Sequence, residues 1–150
     1  MPLPDRPTGF RPPRPPDRLA LGRAAEDLAA RHLEAAGASV LLRNFRRRTG
    51  ELDLVATHAG ALLVVEVRLR SRDDYGGGAA SVDGRKQRKI VRTTRQLLQA
   101  RRDLARWPLR FDVVVVTPDG APLPGGAEAA SGPSGRWQVE WIRHAFSADA

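Results

Sequence analysis

Asp53 and Glu66 stand on two short apolar runs joined by a tight turn. Gly50-Glu51-Leu52-Asp53-Leu54-Val55-Ala56 leads through Thr57-His58-Ala59-Gly60 into Ala61-Leu62-Leu63-Val64-Val65-Glu66-Val67-Arg68. Both runs are rich in Leu and Val, are bounded by turn residues and are too short for helices, so they read as a β-hairpin. A turn at Ala59-Gly60 sets His58 opposite Ala61, and the same register sets Asp53 opposite Glu66 and Glu51 opposite Arg68. Side chains alternate along strands, so all four are expected on one face of the sheet. Two facing carboxylates repel. A hard divalent cation between them removes the conflict, since Mg²⁺ takes carboxylate oxygens at about 2.0–2.1 Å. A plainer arrangement fits the same residues: solvated carboxylates with Glu51 paired to Arg68, and a three-residue loop would slip the register and dissolve the facing pair. The surroundings of Glu66 favour the metal reading. Its run is almost continuously apolar, as in strands buried on both faces, and a carboxylate there is costly unless paired or metal-bound.

The elements that must hold this hairpin follow from periodicity. Residues 19–36 carry apolar or small side chains at 21, 25, 28, 29, 33 and 36, a helical stripe with Gly37 as its stop. Glu26 lies at the edge of that stripe, either as a solvated carboxylate near the positive helix end or aimed at the acidic cluster on the sheet. Residues 38–46 read as a first strand that ends in Arg46-Arg47-Arg48. After Arg68-Leu69-Arg70 comes a glycine-rich loop, Asp73-Asp74-Tyr75-Gly76-Gly77-Gly78, expected to be mobile because glycines are entropically costly to order. A long helix is expected from Val82 or Asp83 to Trp107. Its inner stripe is Ile90, Val91, Thr94, Leu97, Leu98, the stem of Arg101, Leu104 and Ala105, and its outer stripe is Arg85, Arg88, Arg92, Arg95, Arg102 and Arg106. Residues 109–116 form a buried strand, residues 118–135 a flexible insertion rich in Gly, Pro and Ala, and residues 136–142 a last strand. The order α-β-β-β-α-β-β indicates an α/β fold with a mixed central sheet flanked by helices.

Composition narrows the partners. The 150 residues suggest one domain, assigned to 19–146, with a Pro/Arg-rich arm over 1–18 that holds seven prolines and reads as disordered. Cysteine is absent, which excludes disulfide scaffolds, thiol chemistry and Cys-based zinc sites. His32, His58 and His144 have no metal-ligand spacing. No apolar run approaches the ~20 residues of a membrane span, and the first residues lack the apolar core of a signal peptide. A cytoplasmic protein with no membrane partner is therefore expected. The net charge is +8, which favours polyanions, nucleic acid above all. Between Arg85 and Arg110 there are ten basic residues and a single acid, Asp103. An ordinary solvated helix face mixes the two signs. The expected nucleic-acid contacts are Arg46, Arg47, Arg48, Arg70, Arg85, Lys86, Arg88, Lys89, Arg92 and Arg95, mostly to phosphates and hence salt-dependent.

Several ordered motifs together resemble a known family. Gly22-Arg23-Ala24-Ala25-Glu26, Arg43-Asn44-Phe45, Gly50-Glu51-Leu52-Asp53-Leu54, Val65-Glu66-Val67-Arg68-Leu69-Arg70, Tyr75-Gly76-Gly77, Ala80-Ser81-Val82, Lys86-Gln87 and Arg110-Phe111-Asp112-Val113-Val114 resemble the YraN family of small bacterial proteins. Val139-Glu140-Trp141-Ile142 and Ala145-Phe146 look like the end of that family, while the Pro-rich arm and residues 118–135 lie outside the resemblance. The family in turn looks like a branch of the PD-(D/E)XK nucleases, with a restriction endonuclease-like fold similar to that of Holliday-junction resolvases. This implies Mg²⁺ (or Mn²⁺) held by Asp53 and Glu66, a supporting acid at Glu26 and hydrolysis of structured DNA. It also allows a homodimer, as in resolvases. The catalytic set it implies is Glu26, Asp53, Glu66, the position of Arg68, and Lys86 as a further ammonium. Arg68 departs from the pattern, which has lysine there. Arginine stays protonated and cannot act as a base, so a non-catalytic DNA-binding or adaptor protein on the same fold is the alternative.

Overall fold

The register of the central hairpin is fixed by its two-residue turn. In the computed structural model, which describes residues 18–70, 82–118, 128–132 and 135–148, Ala59 and Gly60 have φ of 50° and 80°. Positive φ at both central positions is the type I′ turn, whose twist matches that of the flanking strands. Strands β2 (Gly50–His58) and β3 (Ala61–Leu69) accordingly pair antiparallel from His58 opposite Ala61 to Leu54 opposite Val65. The ladder ends there, one residue short of Asp53 and Glu66, and the Asp53 side chain instead accepts the Val67 backbone N–H.

Strand β3 is central. It lies between β2 and a parallel partner, β4 (Leu109–Pro118), and Leu62 to Glu66 are all buried. Strand β1 (Ser39–Arg47) covers the outer side of β2, and β6 (Gly135–Phe146) pairs antiparallel with β4. The sheet is mixed and α/β, as expected, with one addition. Within the segment expected to be a flexible insertion over 118–135, β4 runs on to Pro118 and Glu128–Gly132 form a short strand β5 on the outer edge of β6. The order is thus β1-β2-β3-β4-β6-β5. A segment of Glu, Ala, Ser and Gly carries no apolar alternation, and its pairing depends on the neighbouring β6. The Pro/Arg-rich arm and the glycine-rich loop lie outside the described residues.

A helix covers each face. Helix α1 (Arg18–Ala35) lays Ala25, Leu28, Ala29, Ala30 and Leu33 on Leu54, Ala56, Leu63, Val65, Val114 and Val116. It stops where Gly37 takes φ 96°, with Ala38 N–H donating to the Leu33 carbonyl and Gly37 N–H to that of Glu34, a Schellman closure. Helix α2 (Gly84–Ala100) lays Ile90 and Leu97 on Leu52, Val55, Leu62, Val64, Val113 and Val115. It is shorter than expected. The Arg101 backbone leaves the helical region, its guanidinium pairs with Asp103, and Leu104–Arg106 form a separate 3₁₀ turn that still buries Leu104. Arg102 and Arg106 therefore do not continue the α2 stripe. Among the described residues no helix is long and apolar enough to cross a membrane.

Strict alternation fails beneath the site, as it also does at the bulge between Val40 and Leu42. Leu52 and Val55, three residues apart, share the α2-side core, as do Leu42 and Phe45 opposite them on β1. The break falls at Asp53 and at Asn44, whose φ is 54°, a conformation Asn tolerates better than most residues.

A buried polar knot ties β6 to β4. The Asp112 carboxylate is inaccessible and accepts two bonds from Arg110, at 2.9 and 2.8 Å, one from the Trp141 indole and one from the His144 backbone N–H. Removing one partner of such a pair leaves the other charge buried and uncompensated, at a cost of roughly 3 kcal/mol or more. Asp112→Ala is therefore expected to lower the melting temperature by roughly 6–12 °C, measured by thermal denaturation. A shift within 1 °C of wild type (roughly 0.3 kcal/mol) would remove this knot from the account of stability.

Candidate metal centre and nucleic-acid interface

The carboxylates collect at the end of β3 where α2 begins. Asp83 caps that helix, its side chain accepting the Lys86 N–H at 2.8 Å, and the Gln87 side chain donates to the Val82 carbonyl at 2.7 Å. This start aims Lys86 at the sheet. Its Nζ meets Glu66 Oε1 at 2.5 Å, where the Glu66 side chain is only 6% exposed. The bond to the Lys86 N–H holds the Asp83 carboxyl below the usual range, and the Arg68 guanidinium adds to that effect.

Asp53 lies beside this pair. Its Oδ2 accepts the Val67 backbone N–H at 2.9 Å. Burial, and then the Glu66 carboxylate within hydrogen-bonding reach, push the Asp53 carboxyl up to about 8. Oxygens of Glu26, Glu51 and Asp53 all lie within 4.8 Å of one another. Burial also raises the Glu26 carboxyl, while a hydrogen bond from the Asn44 side chain opposes the rise. A cavity of about 350 Å³ opens over the cluster, lined by Gly50, Glu51, Asp53, Glu66, Asp83, Arg85, Lys86, Lys89 and Ile90.

Placement on a single sheet face therefore needs correction for one residue. With alternation broken at Asp53, Glu51 reaches the Glu26 side and pairs with Arg46 across β1 at 3.3 Å, while Glu66 faces α2. Asp53 sits between the two sides. Structure thus brings Glu26, Glu51, Asp53, Glu66 and Lys86 together, with half-buried Arg68 following Glu66 on β3. Asn44 has a part in the site that its sequence gives no hint of. Nor do Thr49, Thr93 and Gln96, which pin the β1–β2 turn to α2 through Thr49 Oγ1 at 2.8 and 3.3 Å. Gly50 (φ 148°) makes that approach possible, since a Cβ there would stand 3.3 Å from Thr93 Oγ1. A polar residue buried on a helix's inner face, as Thr93 is, was the available signal.

The donor set is entirely oxygen, which suits Mg²⁺ or Mn²⁺ rather than a softer ion. The chemistry fits as well. Four carboxyl groups share the site, and the ammonium of Lys86 balances only part of their charge when they ionise. Of the expected phosphate contacts, Arg46, Arg47, Arg48, Arg85, Lys86, Arg88, Lys89, Arg92 and Arg95 are exposed and Arg70 is half-buried. Arg47 also stacks on Phe45, 4.3 Å from the ring centre.

A raised carboxyl has a stability consequence of definite sign. The unfolded chain releases the Asp53 proton near pH 4 and the folded chain near pH 8, so this group erodes metal-free stability progressively across that interval. Asp53→Asn keeps an acceptor for Val67 and removes the titration. In chelator the variant is expected to melt roughly 3–6 °C above wild type at pH 8, the gap closing toward pH 5. Excess Mg²⁺ should then raise the melting temperature of wild type alone. A gap that does not vary with pH would show that the Asp53 carboxyl is unperturbed.

Residues 25–116 match the sequence profile described as uncharacterised protein family UPF0102. A UPF0102 protein of Dechloromonas aromatica is 45% identical over 130 residues, 87% of this chain and 91% of that protein. Another, of Stutzerimonas stutzeri, is 42% identical over 125 residues, 83% of this chain and 92% of its own length.

Proposed function

This chain belongs to the uncharacterised protein family UPF0102, and from that premise we propose that it is a Mg²⁺- or Mn²⁺-dependent nuclease acting on structured DNA. The observation that carries the reading is the pair of half-buried Asp53 and buried Glu66, side by side beneath a basic helix. Facing carboxylates cost stability, and the cost makes sense where a cation is meant to sit between them.

Asp53 and Glu66 would hold the metal, which when bound would polarise a phosphate and lower the pKa of an attacking water. Glu26 or Glu51 would support the metal or that water. Lys86 reaches Glu66 from α2, placing an ammonium where charge builds on the phosphate during in-line attack. Arg68 clamps a phosphate oxygen and takes no proton, because its guanidinium stays charged. Arg85 and Lys89, on the rim of the same cavity, draw in the DNA backbone.

Incubation with Mg²⁺ or Mn²⁺ and nicked, flapped or four-way DNA is expected to give cleavage. Asp53→Ala and Glu66→Gln should abolish it, and Lys86→Ala should slow it by roughly 10²–10³-fold. Equal rates in wild type and Asp53→Ala, or no cleavage by wild type, would overturn the hydrolytic reading. The second reading, a DNA-binding or adaptor protein without hydrolysis, is favoured by arginine at position 68. It expects binding that weakens steeply with salt and does not change in Glu66→Gln.

A further inference from the structure

Helix α2 stands between the carboxylate cavity, which has a basic rim, and a second, basic groove. Lys86 and Lys89 border the carboxylate cavity on one flank. On the other flank lies a groove of about 210 Å³, where Arg88, Arg92 and Arg95 meet Ser147 and Ala148 of the segment after β6, over Val91. At 100° per residue these three arginines fall on nearly the opposite side of the helix from Lys86. All three are exposed, and none enters an ion pair among the described residues. The exposed surface between the two flanks is basic as well. Three unpaired guanidiniums in one groove repel one another, and a chain of phosphates relieves that repulsion better than a single ion.

The spacing selects among polyanions. An α-helix with its side chains is roughly 10–12 Å across, so ligands in the two cavities lie about that far apart. The major groove of B-form DNA is about 12 Å wide and admits an α-helix between its two backbones. Arg88 to Arg95 span roughly 10 Å of helix axis, the rise of about three nucleotides in one strand. Single-stranded nucleic acid offers one backbone only, and the major groove of A-form RNA is too deep and narrow for a helix.

We propose that α2 lies in the major groove of duplex DNA, with one backbone at the carboxylate cavity and the phosphates of the opposite strand in the Arg88–Arg92–Arg95 groove. This rests on the proposed function only in taking the carboxylate cavity as the seat of the first backbone. It makes the substrate a B-form duplex, or a duplex arm of a branched structure, and divides the labour of α2. One flank serves the chemistry, and the other holds the uncut strand.

The test is binding of the full chain, in chelator, to labelled DNA duplex, RNA duplex of the same sequence, and single-stranded DNA over a range of salt. Wild type is expected to favour the DNA duplex by roughly tenfold or more. In the triple variant Arg88→Ala/Arg92→Ala/Arg95→Ala, duplex affinity should fall by roughly 10–100-fold and the salt slope flatten by roughly 2–3. Arg102→Ala/Arg106→Ala, beyond the end of α2, is the control and should change little. Wild-type affinity in the triple variant would overturn the proposal. So would equal loss in the control, or single strand or RNA duplex bound as tightly as DNA duplex. Failure of wild type to bind any nucleic acid in chelator overturns this inference and leaves the nuclease reading to the Mg²⁺ and Mn²⁺ cleavage assay. Duplex binding in the expected pattern, with no cleavage in that separate assay, upholds the groove assignment and removes the hydrolytic reading alone.

Discussion

The energetic tension in this structure is the burial of Asp53 against Glu66. Two carboxyl groups in a water-poor site cannot both ionise without a compensating positive charge. The protein supplies one, the Lys86 ammonium on Glu66, and leaves Asp53 to hold its proton well above the usual carboxylate range. Much of the surrounding architecture fixes these groups in place. The type I′ turn at Ala59-Gly60 sets the strand register, β4 and the two helices bury β3, and the Asp83 cap sets the height at which Lys86 leaves α2.

Such a pair is a poor device for stability. Replacing buried ionic groups by apolar residues of similar volume commonly leaves a fold as stable or more so. The contrast with Asp112 is instructive. That carboxylate is more deeply buried than Asp53, yet it has a bidentate arginine, an indole N–H and a backbone N–H, and so is fully satisfied within the chain. Asp53 has one backbone N–H and a neighbour of like charge. One acid is satisfied within the chain, and the other is held in tension with its neighbour.

The sequence revealed these elements unevenly, for physical reasons. The hairpin and its register near the turn were legible because a two-residue turn fixes the pleat: once Ala59-Gly60 is the turn, the pairings from His58–Ala61 to Leu54–Val65 follow. Helix α1 was legible from its stripe and Gly37. The end of α2 was not, because Leu104 and Ala105 continue the helical spacing even though the backbone turns at Arg101, and the pairing of Arg101 with Asp103 is a local detail that no periodicity encodes. Strand β5 has no apolar pattern and exists through pairing with β6. At the site, the expectation that Glu51 shares a face with Glu66 failed because alternation breaks at Asp53. The break depends on Asn44 adopting positive φ, which a residue type permits but does not announce.

Arg68 looks different once Lys86 is located. In sequence, arginine two residues beyond Glu66 reads as loss of the one group able to shift its protonation beside a nucleophile. In space, the ammonium arrives from α2 instead, at 2.5 Å from the same carboxylate. A lysine delivered by a capped helix on a buried core face is held by the Asp83 and Gln87 contacts and by the packing of Ile90. At position 68 the planar guanidinium presents two parallel donors where an ammonium offers a point charge. Positive charge beside these carboxylates is therefore divided between strand β3 and helix α2.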